Sequence, residues 1–381
     1  MTTPRPLQFG KLLPPPYAGV EAHVDHLLRA LQAQMPGTLL ACSADNESAI
    51  LQRGLPYRAI VKRFYGRVAS APVAPGMMTE VRRELTSGRS NLLHLHAPNP
   101  MGDVAGLLFG RDAPLVLSWH SDIVKQKALL SLYGPIQRRV IDRADAIVVF
   151  TPAHYESSRQ LKRARVERKL HLIPMGFNFS RLEAHHADPN MAERLAAFAD
   201  GRVMLLTVGR HVYYKGYEYL LSAFAKLQGD PVLVMVGTGP LSDALRAQAA
   251  QLGIDRRVWF TGEVTESELV AAYSACDIFT LPSIEPSEAF GIASAEAMAC
   301  GKPTVICELG NGVNYLNQAG RTSLAVPPRD VPALASALQT LVDDGLLRQR
   351  MGEEAKRWVQ ATFSAEVMRD AHMRLYRSLM R

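Results

Sequence analysis

No apolar run in the 381 residues approaches the roughly 18 that a membrane span needs, which excludes a bilayer-crossing helix. The first residues, Met1 to Leu7, carry no secretory apolar core, and the cytoplasm is the expected location. Cysteine is scarce. Cys42, Cys276, Cys300 and Cys307 form no Cys-x-x-Cys pair and no metal-ligand spacing, which suits reduced thiols buried as small apolar side chains rather than a disulfide framework. No helix-turn-helix, zinc-finger or aromatic RNA-binding signature accompanies the basic residues, so nucleic acid is not an expected partner. What remains is a globular composition, 48% apolar and 21% charged, on a chain long enough for two domains with separate cores.

Charge is present but uneven. Residues 1–180 hold 23 Lys and Arg against 13 Asp and Glu, whereas the remainder holds 20 against 23, so the net +7 is concentrated in the first half. An anionic partner on that side is expected, either the headgroup surface of the inner leaflet, giving peripheral membrane contact, or the pyrophosphate of a lipid-linked acceptor. A merely solvated basic surface, Arg159 to Lys169 above all, is the alternative.

Strand-like apolar runs alternate with amphipathic stretches: Leu92 to Leu95, Leu115 to Trp119, Ala146 to Phe150, Val203 to Val208, Val232 to Val236, Val258 to Thr261, Ile278 to Leu281 and Thr304 to Cys307. This alternation predicts an α/β protein with parallel sheets covered by helices on both faces and ligands at the carboxyl ends of the strands. A polar stretch around His185 to Asn190 separates two strand series, placing a domain boundary between 180 and 200. In the first series, Pro14-Pro-Pro-Tyr-Ala-Gly19 precedes an amphipathic helix expected from Val20 to Gln34.

Two segments carry most of the chemistry. Glu288 and Glu296 frame Ala-Phe290-Gly291-Ile292-Ala-Ser-Ala, followed by Gly301 and Pro303. A carboxylate before a Phe-Gly turn and another near the start of the short helix that follows put two acceptors beside a helix N-terminus, where hydroxyls and phosphates can be read. Upstream, Arg210 and Lys215 in Gly209-Arg-His-Val-Tyr-Tyr-Lys-Gly216 follow an apolar strand, and such cations suit a diphosphate. Glu285 is read as a bystander, and Gly237-Thr-Gly239 as a strand-to-helix turn.

These segments resemble glycosyltransferase family 4, the retaining, sugar-nucleotide-dependent group with a GT-B fold: two facing Rossmann-like domains with a cleft between them. Arg210 and Lys215 match its Gly-Arg…Lys-Gly pattern, Glu288 and Glu296 its Glu-x7-Glu pattern, and Leu281-Pro-Ser283, Val326-Pro-Pro328 and the closing Phe363 to Tyr376 extend the likeness over nearly the whole chain. Trp119 to Lys127 and Glu308 to Asn317 look most like bacterial mannosyltransferases that build O-antigen and other surface polysaccharides. The resemblance implies an N-terminal acceptor domain over 1–180, a nucleotide-sugar donor domain over 181–361, and a final helix, 362–381, returning to the first domain.

It also implies the activity: transfer of a hexose, expected to be mannose from GDP-mannose, to a polyprenyl-linked saccharide acceptor. Front-face attack would retain configuration, with the leaving phosphate taking the acceptor proton. Neither a cofactor nor a metal is expected. A UDP-sugar-dependent transferase, a nucleotide-sugar 2-epimerase of similar architecture and a noncatalytic binding partner remain open.

By analogy Arg210 and Lys215 meet the diphosphate, Glu296 the ribose, and Glu288 with the backbone of Phe290, Gly291 and Ile292 the sugar and phosphates. Gly19 stands in the family's Gly-Gly-Val-Glu loop, where Ala18 replaces the first glycine. His120 falls at the family's active-site histidine, giving a catalytic set of His120, Arg210, Lys215 and Glu288. Asn178 replaces the family's Asp. Lys125 and Lys127 are placed for an acceptor pyrophosphate or for solvent. His94 and His96 alternate on one strand without a third ligand nearby in sequence and read as packing or cleft residues.

Overall fold

The computed structural model describes residues 2–13, 19–43, 49–51, 55–68, 71–109, 113–122 and 127–380. Ala18 and Lys125 lie outside the described residues, as does the side chain of Lys127. The chain divides into two compact units, residues 1–177 with 363–381, and residues 178–362.

The first unit holds β1 (Pro6–Leu12), β2 (Thr38–Ser43), β3 (Ala49–Leu51), β4 (Arg58–Arg63), a small hairpin of β5 (Arg67–Val68) and β6 (Ala71–Pro72), then β7 (Leu92–Ala97), β8 (Leu115–Trp119), β9 (Ala146–Val149) and β10 (Leu170–Leu172). Its sheet runs β10-β9-β8-β7-β1-β2-β4-β3. All neighbours are parallel except β3, which pairs antiparallel with β4. Strand β7 is buried throughout, as expected of a parallel strand covered on both faces.

The helix Gly19–Leu31 buries Val24, Leu27, Leu28 and Leu31, a helical stripe facing the sheet. It ends earlier than the sequence suggested. Gln34 and Met35 instead donate back to the Leu31 carbonyl, at 3.0 and 2.8 Å, turning the chain before Pro36-Gly37. The terminal helix Ala365–Leu379, capped by Ser364 accepting from Val367 N, buries Met368, His372, Leu375 and Tyr376. Its apolar side chains join Leu27, Leu31, Met35 and Ile173 in one core of this unit.

The second unit contains β11 (Met204–Val208), β12 (Val232–Val236), β13 (Val258–Gly262), β14 (Ile278–Leu281), β15 (Thr304–Cys307) and β16 (Ser323–Val326). They are parallel in the order β13-β12-β11-β14-β15-β16. Counted along the chain this is 3-2-1-4-5-6, the doubly wound order; the parallel strands of the first unit follow the same rule from β4 to β10. Strand direction of winding reverses between β1 and β7 in one unit and between β11 and β14 in the other. Ligands of such sheets bind outside the carboxyl ends of the strands at these reversal points. The expected parallel α/β architecture is therefore present in both units.

Candidate active site

At the second unit's reversal point, β11 runs into Gly209-Arg210 and β14 into Pro282-Ser283. Lys215 closes a short 3-10 turn, Tyr213–Lys215, and Gly216 follows with φ 67°. A Cβ at Gly216 would stand 2.3 Å from the Pro282 carbonyl oxygen, so only glycine lets the two loops touch. That contact, with Ile284 N donating to Tyr214 O at 2.8 Å, delivers Lys215 to the second loop. Its Nζ donates to Glu288 Oε2 at 2.5 Å, where Ser283 Oγ also donates at 3.2 Å. Asn311 Nδ2 donates to the Glu288 carbonyl at 2.7 Å and fixes the loop from a third side. Two residues 73 positions apart are thus joined in an ion pair whose side chains are 11% and 12% exposed.

Gly291, φ 76°, precedes the helix Ile292–Ala299; Phe290 is buried and Ile292 exposed. Glu296, expected near the start of this helix, is its fifth residue, a full turn in. There it is buried and paired: Tyr273 Oη donates to Oε2 at 2.7 Å, and Arg181 Nη2 to Oε1. Arg181, from the turn Ser180–Leu182, also bonds Glu266 at 2.9 Å. Burial pushes the Glu296 carboxyl above its usual 4.5, and Arg181 and Tyr273 oppose the shift.

Arg210 is brought to the same strand end but not into the ion pair: its side chain is exposed and makes no salt bridge among the described residues. Its loop is braced by the glycines after β12. Gly209 N donates to Val236 O at 3.0 Å and His211 N to Thr238 O at 2.9 Å. A Cβ on Gly237 would meet Gly209 O at 2.3 Å, and one on Gly239 would meet His211 O at 2.5 Å. Gly237-Thr-Gly239 is therefore a support for the Arg210 loop as well as a turn. Glu285 pairs at the surface with Arg329, at 3.3 Å.

The first unit's reversal point is built from imidazoles. His120 follows β8 and lies against the Phe150 ring, 4.7 Å between centroids. Its Nε2 is 3.1 Å from His96 Nδ1. His23, reaching in from the helix Gly19–Leu31, has its ring centre 5.2 Å from that of His120 and 5.8 Å from that of His96. Ligand nitrogens of all three histidines lie within 4.8 Å of one another. Neighbours for His96 thus come from elements remote in sequence, which spacing along β7 did not reveal. His94 packs instead, between Tyr376 Oη at 2.6 Å and Ser118 Oγ at 2.8 Å. Burial holds the imidazoles neutral: the pKa of His96 falls to about 3, and those of His23, His94 and His120 well below 6.5. Gly19 begins its helix, and a Cβ there would meet nothing within 4 Å. Asp122, beside His120, is structural. It accepts from Trp119 Nε1, Ser158 Oγ and Arg159 N.

Arg181, Tyr273 and His23 join these clusters without a sequence signal, reaching their partners through the fold across separations such as the 115 residues from Arg181 to Glu296. Ser283 and Asn311 lie in segments that carry the family likeness, but their bonds to Glu288 were not read from them.

A sequence model described as Glycosyltransferase Family 4 matches residues 17–181, and one described as Glycosyl transferases group 1 matches residues 193–358. An O-antigen chain mannosyltransferase C of Escherichia coli is 31% identical over 96% of each chain. The chain belongs to glycosyltransferase family 4. A D-rhamnosyltransferase of Pseudomonas aeruginosa, WbpZ, is 36% identical to this glycosyltransferase over 74% of this chain and 72% of its own. Among solved structures, Anabaena HepE in complex with UDP aligns with TM-score 0.76 at 19% identity, covering 98% of this chain and all of the other. That likeness carries the GT-B fold. No helix among the described residues is long and apolar enough to cross a membrane.

Proposed function

We propose that this glycosyltransferase moves mannose from GDP-mannose to a polyprenyl-linked saccharide during synthesis of a surface polysaccharide such as O-antigen, with retention of configuration. The observation that carries the donor-site assignment is the Lys215–Glu288 ion pair at the reversal point of the second unit. A departing diphosphate develops negative charge, and a preorganised cation beside it lowers the barrier without reorganisation. Lys215 and the exposed Arg210 take that role, Lys as a point charge and Arg as a fork. No metal is assigned to the transfer step, because these two cations supply the positive charge. Glu288, released from Lys215 by the diphosphate, accepts from sugar hydroxyls; Glu296 accepts from the ribose; Phe290, Gly291 and Ile292 offer backbone to the phosphates. His120 takes the sugar contact implied by the family, and Gly19 leaves room for a close-approaching substrate.

Mannose is supported by the O-antigen chain mannosyltransferase that matches 96% of the chain. The D-rhamnosyltransferase favours a second donor, since D-rhamnose is mannose without the C6 hydroxyl. HepE, bound to UDP, favours a UDP-sugar as the other alternative. The acceptor's anionic linkage is assigned to the basic first unit, where Arg138, Arg139 and Arg163 line a cavity of about 480 Å³. Peripheral contact with an anionic bilayer is assigned to the same unit.

The decisive experiment incubates the protein with GDP-mannose, GDP-rhamnose and UDP-hexoses, with and without a polyprenyl-linked acceptor. Mannosyl transfer with an α-linkage carried over from the donor is expected; exclusive use of a UDP-sugar overturns the assignment. GDP should also raise Tm more than UDP, because a ligand that binds only the folded state at 100 times its Kd stabilises by about 2.7 kcal/mol.

A further inference from the structure

We propose that His23, His96 and His120 form a binding site for one divalent transition ion of the zinc type. Three neutral imidazoles with an open fourth position are an established donor set for such an ion. Their spacing fits it. A tetrahedral ion about 2.1 Å from each ligating nitrogen puts the ring centres roughly 5.2 Å apart, and the three pairs stand at 5.2, 5.4 and 5.8 Å. Their ligating nitrogens lie within 4.8 Å of one another, the His96–His120 pair at 3.1 Å.

A second observation points to a missing partner. His23 is 1% exposed, and neither of its ring nitrogens has a hydrogen-bond partner among the described residues. Leaving such a group unsatisfied in the interior is unfavourable, and a bound ion would remove that penalty. The other two histidines are prepared for ligation. Gln8 Nε2 donates to Tyr376 Oη at 3.0 Å, so Gln8 Oε1 faces His96 Nε2, 2.9 Å away, and accepts its proton. His96 therefore carries a lone pair on Nδ1, the atom directed at His120. A hydrogen bond on the far nitrogen is how metal-binding histidines are oriented and their basicity raised. Burial keeps all three rings unprotonated near neutral pH. Lys11 lies nearby; burial lowers its pKa, which Glu21 and Asp103 oppose, and burial raises the Asp103 carboxyl itself to about 8.

Occupancy would engage His120, so zinc should inhibit transfer; that consequence rests on the proposed sugar contact of His120, whereas binding does not. The test is calorimetric titration of tag-free protein with Zn²⁺ near neutral pH, with the visible spectrum of added Co²⁺ as a report of geometry. One ion per chain and an intense tetrahedral Co²⁺ spectrum are expected. His23→Gln and His96→Gln should abolish both. Gln8→Met, which keeps the ligands, should weaken binding about 10–100-fold. His185 and His186 form an exposed adjacent pair in the other unit, and replacing both with Gln should leave binding unchanged. Absence of binding to the wild type, a signal insensitive to His23→Gln, or one lost with the His185/His186 double variant would overturn the site. The wild-type spectrum decides the matter even if a histidine variant fails to fold. Zinc bound at this site without inhibition would leave the site standing and remove His120 from the donor contacts.

Discussion

The two reversal points share a strand order and differ in chemistry. In the second unit the crevice residues are opposite charges held against each other: Lys215 with Glu288, and Arg181 with Glu296. In the first they are uncharged imidazoles packed on one another and on Phe150. One sheet winding therefore supports a charge-reading site and a neutral, hydrogen-bonding site, and the difference lies wholly in the loops and side chains at the strand ends. Paired charges are suited to exchange partners when an anion arrives. A neutral cluster is suited to meet uncharged hydroxyls, or to ligate a cation.

The comparison is tested most strongly by removing the cation of the second unit. Lys215→Ala should lower kcat/KM on the order of 10²–10³-fold while the protein stays folded, because a preorganised charge beside the leaving group is lost. The half-buried Glu288 would then keep Ser283 as its one side-chain donor among the described residues. Steady-state kinetics with circular dichroism measures both; retained activity would remove Lys215 from the chemistry.

Acid should separate the units next. A histidine whose folded pKa is depressed favours its neutral form in the fold, so its contribution is fully present above the unfolded pKa near 6.5 and is lost as pH falls through the folded value. For His96 that window runs from 6.5 to about 3, and for His372 to about 4. Glu296 has the opposite sign, since its raised pKa favours the protonated form and its contribution fades as pH rises through that value. Hydrogen exchange followed by mass spectrometry from neutral pH downward should show protection falling first in the first unit's sheet around β7 and β8. Equal loss in both sheets would mean that the imidazoles do not set the acid response.

How much of this was legible beforehand depended on whether the signal was local. The strand Val232–Val236 is buried at every residue and reads directly as an uninterrupted apolar run. So does the pairing of a cation loop with a carboxylate frame, once Gly209 and Gly216 mark the turns. The edge strand β3 did not show, because three residues carry no period; nor did sheet order, which pattern along the chain does not encode. Tyr273 and Arg181 were hidden for the same reason. They contact Glu296 across 23 and 115 residues, and nothing in their own neighbourhoods marks them. The histidine cluster was half visible: His94 and His96 alternate on β7, while His23 and His120 belong to other elements and converge on His96 only in the folded unit.

A smaller effect should come from Glu296→Gln. Its carboxylate can accept charge-assisted hydrogen bonds from ribose hydroxyls, and their replacement by neutral ones should raise the donor KM roughly tenfold with little change in kcat. The pH dependence sharpens the assignment. In the wild type, donor KM should rise as pH falls through the raised Glu296 pKa, because the protonated acid loses an acceptor; in Glu296→Gln that rise should vanish. A fall in kcat without a change in KM would instead place Glu296 in the transferring step.

The smallest change belongs to Glu285, the third carboxylate of the same loop. Its side chain is 32% exposed and meets Arg329, itself 49% exposed, at 3.3 Å. An ion pair so open to water contributes about 0–1 kcal/mol, and side-chain freedom offsets part of that. Glu288 and Glu285 are three residues apart, yet the chain between them turns so that Glu288 N donates to Glu285 O and only Glu288 faces Lys215. Glu285→Ala should therefore change kcat/KM by less than about twofold and leave Tm nearly unmoved. A loss matching that of Lys215→Ala would show that the functional carboxylate of this loop is Glu285, with the Lys215–Glu288 pair a structural clasp.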